Sequence, residues 1–181
     1  ALEIAGRLGD LRLRIVTTAY LEQVHYFRGD YERVVELATD NLAALPAARV
    51  YENSGVSVPP AINDRSWLVQ SLAQFGRFAE AAQYEAEMLR LAGPTHHTYT
   101  MVSAQFAASV PYLLKGDWAK ARYLIEHAIA VLPGNMVLNF PRVFASSAWV
   151  LAQVGEASAA LNRLREGEEL LDRFVAEKFV G

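Results

Sequence analysis

The residues that could carry chemistry in this chain are few and scattered. It has no cysteine, which excludes thiolate nucleophiles, thiolate metal sites and disulfides. Of its 4 histidines, His96 and His97 are adjacent, and adjacent residues do not converge on one face of a helix or strand. With no carboxylate pair nearby they do not form a metal site. They read instead as the polar start of a helix, with Thr95 as N-cap just after Pro94. His25 and His127 fall in separate apolar-periodic segments, so no Ser-His-Asp arrangement can be argued. There is no phosphate-binding G-x-x-x-x-G-K-[ST] run. We expect no catalysis, no cofactor and no metal.

What remains is a set of glutamines and aromatic rings at helical spacing, and glycines mark the elements that would position them. GDYERVVELATDNLAALP, from Gly29 to Pro46, returns as GDWAKARYLIEHAIAVLP from Gly116 to Pro133, and Gly76 and Gly155 open two weaker copies. Each glycine stands where one apolar-periodic segment ends and the next begins, the left-handed C-cap position that favours a residue without Cβ. Asp30 and Asp117 can cap the following helix, and Tyr31, Phe78 and Trp118 can pack across the turn. Five residues after each glycine stand Val34, Ala81, Ala121 and Ala160, small enough to bring two helices close. Each copy is therefore read as a helical hairpin.

The predicted protein is all-α and a single domain over 1–181. Residues 1–9 read as the end of a preceding helix, with hairpins at about 11–46, 63–92, 96–132 and 140–179. Asn53, Ser54, Gly55 and Pro59-Pro60 make 47–62 an irregular connection. It either folds over one face, tucking in Val50 and Tyr51, or serves as an ordered spacer. Pro111 falls inside the first helix of the third hairpin and is expected to kink it. The tail, with Leu164, Leu171, Phe174 and Val175 among charges, reads as an amphipathic final helix that either caps the array or forms a homodimer.

The Gly-Asp-aromatic turn, the alanine in the second helix, and Pro46 and Pro133 seventeen residues after their glycines resemble the tetratricopeptide repeat. The copies recur at 47, 40 and 39 residues, from Gly29 to Gly76, Gly116 and Gly155, against about 34 in that family. Gly93 and Asp172 stand where proline is usual, and Gly167 where alanine is. HEAT-type repeats fit the spacing but lack the turn. The segments NDRSWLVQSLAQFGRFAEAA and LNFPRVFASSAWVLAQVG look like the C-terminal helical region of large bacterial signalling proteins that join a class III adenylate-cyclase-type domain to an ATPase module. The resemblance implies a right-handed superhelical array of antiparallel hairpins, an α-solenoid, acting as a regulatory arm in the cytoplasm. The chain opens with ALEIAGRLGD, without Met, and is expected to belong to a longer polypeptide.

In such an array the first helix of each hairpin lines the concave side. Counting back from the glycines places Gln23, Tyr26, Phe27, Gln70, Gln74, Phe106, Val110, Trp149 and Gln153 there. This stripe carries no charge, which argues against a clamp for a peptide carboxylate. It suits a protein or peptide segment that is apolar or amphipathic, held by aromatic anchors. An upstream domain of the same polypeptide is a candidate partner; the competing reading is an oligomerisation scaffold that uses the terminal hairpins and has no groove, and a weaker one is an all-α enzyme, against which the lack of clustered Asp, Glu and His argues. Trp149 has a second reading, as packing against the neighbouring hairpin.

The bulk figures agree. Seventeen Lys and Arg against twenty Asp and Glu give a net charge of -3, without the basic footprint that nucleic acid requires. The uncharged run from Leu91 to Leu114 is interrupted by Gly93, Pro94 and Pro111, so no membrane span is expected.

Overall fold

The computed structural model describes residues 2–53, 55–132 and 141–179, with side chains as far as residue 173. Among these residues run nine α-helices and two 3-10 turns, and no strand. The helices are α1 (Leu2–Leu8), α2 (Leu11–Phe27), α3 (Tyr31–Ala44), α4 (Pro60–Gln74), α5 (Phe78–Ala92), α6 (Thr98–Lys115), α7 (Trp118–Ala130), α8 (Pro141–Gln153) and α9 (Ala157–Phe179). Each packs against the next, and α4 also meets α2 and α6. No helix among the described residues is long and apolar enough to cross a membrane.

The turns form as the glycines require. Gly29, Gly76, Gly116 and Gly155 have φ of +79°, +71°, +73° and +85°. The following residue donates its N–H to the carbonyl five residues back: Asp30 to His25 (3.0 Å), Arg77 to Leu72 (2.9 Å), Asp117 to Tyr112 (3.0 Å) and Glu156 to Leu151 (2.9 Å). That bond closes the carbonyl end of the first helix and starts the second within three residues. A fifth turn of the same kind stands before the four expected from the repeat. Gly9 has φ +63° and Asp10 donates to the Ala5 carbonyl at 3.1 Å, so the first residues form α1 and a turn of their own. Asp117 caps α7 by accepting from the Lys120 N–H at 3.1 Å. Asp30 makes no such cap; its carboxylate lies 2.9 Å from His25 Nδ1 instead.

Val34, Ala81, Ala121 and Ala160 are all buried, as close approach of paired helices requires. Gly167 has a packing reason: a Cβ there would sit 3.1 Å from Phe144 Cβ, so α9 approaches α8 where only glycine fits comfortably. The connection after α3 includes a 3-10 turn at Ala47–Arg49, and α4 begins at Pro60, inside the span expected to be irregular. Val58 is buried in the largest core cluster and Val50 packs on it, whereas Tyr51 is exposed. Helix α6 starts at Thr98, with Thr95 in a 3-10 turn before it, and runs unbroken past a buried Pro111.

Candidate functional site

A cavity of about 200 Å³ opens where α2, α4, α6 and α8 converge. Helix α2 contributes Gln23 and Phe27, α4 contributes Asn63, Trp67 and Gln70, α6 contributes Tyr99, Ser103 and Phe106, and α8 contributes Arg142. Val56, Ser57 and Val58 of the connection before α4 complete the wall. No Asp or Glu lines it.

Four of the expected groove residues therefore meet: Gln23, Phe27, Gln70 and Phe106. The other five do not line this cavity. Tyr26 is 9% exposed and lies behind the wall, its ring 5.0 Å from Trp67 and 5.7 Å from Phe27. Gln74 engages the Tyr26 hydroxyl, and burial pushes that phenol above its ordinary range despite the opposing influence of Arg142. Val110 is buried in the packing. Trp149 is 44% exposed and meets Trp118 edge-on at 5.8 Å, and Gln153 is exposed at the end of α8.

The expected charge-free lining is corrected by Arg142. Its guanidinium lies 4.9 Å from the Phe106 ring centroid, 5.3 Å from Phe27 and 5.9 Å from Tyr26. It donates to Gln70 Oε1 at 3.2 Å, while Gln70 Nε2 is fixed to the Ser66 carbonyl at 3.0 Å. Among the described residues, none of the ion pairs involves Arg142. Sequence counting missed it because it stands seven residues, about two helical turns, before Trp149. A signal existed: Asn63, Ser103 and Arg142 each stand thirteen residues before a turn glycine (Gly76, Gly116 and Gly155), and all three reach the cavity.

Where α2, α3 and α4 meet lies a second polar cluster. Glu22 and Asp64 are both 0% exposed and Asn41 is 1% exposed. Asn41 Nδ2 donates to Asp64 Oδ2 at 2.9 Å and to the Ile15 carbonyl at 3.4 Å. Burial, and then the neighbouring Asp64 charge, raises the Glu22 carboxyl well above its ordinary range. Burial raises Asp64 to about 7, against the lowering influence of its hydrogen bonds, Asn41 first. A proton held between the two carboxyls gives one of their oxygens a donor that Asn41 cannot supply.

The histidines stay apart. His25 pairs with Asp30, His97 Nδ1 lies 2.8 Å from Thr100 Oγ1, and His127 stacks on Tyr123. No group of three or more His, Asp or Glu among the described residues could hold a metal. No family model, no curated protein and no solved structure matches this chain.

Proposed function

We propose that this chain is a non-catalytic interaction module whose partner seats in the cavity between α2, α4, α6 and α8. The observation that carries the reading is the meeting of Gln23, Phe27, Gln70 and Phe106, which lie on three helices and far apart in the chain, around one solvent-open recess. Rings supply contact area and the amides fix orientation. The repeated glycine turns favour a tetratricopeptide-like, right-handed superhelical array, in which a bound segment would stabilise one curvature. A regulatory arm of a bacterial, cytoplasmic signalling protein, biased by differential affinity for two curvatures, is the role that fits. The partner is a protein or peptide segment, and an upstream domain of the same polypeptide is the first to test.

Gln23 is exposed at the cavity, so Gln23→Trp fills the entrance without touching the core. Peptides enriched from a displayed library against the chain should lose binding to Gln23→Trp by about 10-fold or more. Equal binding to both chains would sink the groove. A second reading, homodimerisation through α9, is favoured by the exposed Leu161, Leu164 and Leu171. Sedimentation that does not change with concentration would remove it. The Phe174 side chain assigned to that interface lies outside the described residues.

A further inference from the structure

The chemistry of the cavity specifies more than an apolar partner. A guanidinium carries five N–H donors in one plane and keeps its charge at any ordinary pH. At Arg142, aromatic rings lie against the guanidinium, and Gln70 and the Tyr26 hydroxyl engage it on the protein side. Those neutral acceptors leave the charge without a counter-ion among the described residues. A half-buried cation with neutral neighbours is incompletely compensated, because amide, hydroxyl and ring acceptors carry no net negative charge to set against the cost of withdrawing it from water. The lining around it has no acid and one cation, so it selects a single negative charge. Phe27, Trp67, Val102 and Phe106 supply flat apolar walls, which a bare inorganic anion would leave unused. At about 200 Å³ the space is below the roughly 300 Å³ at which pockets for drug-sized ligands begin, and suits one ring with a short acidic arm.

We propose that this cavity binds a small organic monoacid, its carboxylate paired with the Arg142 guanidinium and its flat apolar body laid against Phe27, Trp67 and Phe106. The assignment rests on reading this cavity as the binding site, but not on the occupant being a peptide segment.

Phenylacetate and phenylacetamide test it, since they share a ring and arm and differ in charge. In calorimetric titration of the whole chain, phenylacetate should bind at least about 10-fold more tightly than phenylacetamide, the difference expected for a charge-assisted pair. Arg142→Met, which keeps the apolar stem, should remove that advantage while leaving the amide unaffected. Arg142→Lys should restore part of it, which separates loss of charge from a folding defect. Equal affinity for acid and amide, an unchanged phenylacetate affinity in Arg142→Met, or no phenylacetate binding at millimolar concentration would each overturn the proposal. Tighter binding of a peptide that ends in Phe with a free carboxylate would move the site to a chain terminus and overturn it too. If acid and amide bind equally and Gln23→Trp blocks both, only the acid assignment falls. If Gln23→Trp blocks neither, the cavity reading falls with it.

Discussion

Glu22 on α2 and Asp64 on α4, and Arg142 on α8 at the cavity, are charges withdrawn from water that resolve the problem in opposite ways. A carboxyl can answer burial by keeping its proton, and the pair does so: both are shifted upward, and Asn41 donates to one of the four oxygens, Asp64 Oδ2. The cluster is closed, with nothing left for a ligand to reach. A guanidinium has no such option, so Arg142 rests on ring faces, one amide and the Tyr26 hydroxyl and keeps the rest of its capacity at an open cavity. The same physical cost thus yields a structural knot in one place and a receptive site in the other.

The largest consequence of the contrast is a dependence of stability on pH. The folded pKa values of Glu22 and Asp64 lie above those of the unfolded chain, so the fold retains protons that the unfolded chain has released. Their stabilisation is complete below the unfolded values near 4 and is lost as pH rises, through about 7 for Asp64 and through its own raised value for Glu22. Each proton so retained changes stability by about 1.4 kcal/mol per pH unit. Urea midpoints should fall from pH 5 to pH 7.5, and Glu22→Gln should flatten the fall; a slope unaltered by that variant would break the description of the knot.

Next in size is Asn41→Ala, which leaves Asp64 buried without its donor and should cost about 3 kcal/mol in chemical unfolding. Arg142→Met should cost only about 1 kcal/mol, the loss of cation–π contact at a partly open site. A loss as great as that of Asn41→Ala would make Arg142 structural and erase the contrast. The exposed pair of Arg122 with Glu156, 2.6 Å apart, sets the baseline. Arg122→Ala should change stability by less than about 1 kcal/mol, and less still at high salt.

Much of this architecture could be read from the sequence because the turns constrain residue type. A left-handed backbone angle strongly favours glycine, and Gly29, Gly76, Gly116 and Gly155 mark four hairpin turns accordingly. Gly9 escaped notice because α1 is only 7 residues long and Leu11, rather than an aromatic, follows Asp10. The site was half legible. Gln23, Phe27, Gln70 and Phe106 lie on the helix faces that counting back from a glycine selects, but Arg142 lies about two turns before Trp149. Glu22, Asn41 and Asp64 carry no common offset from the turns, and their burial depends on three helices meeting. One-dimensional periodicity reads such residues as solvated.

The three tryptophans offer the most direct test, because Trp67 lines the cavity while Trp118 and Trp149 pair with each other outside it. We would follow the three indole N–H resonances of the isotopically labelled chain during addition of phenylacetate. A site built around Arg142 predicts that the Trp67 resonance shifts and saturates while the other two stay in place, and that Arg142→Met moves saturation to about 10-fold higher phenylacetate. Movement of Trp118 and Trp149 without Trp67, or no saturable movement at all, would contradict it.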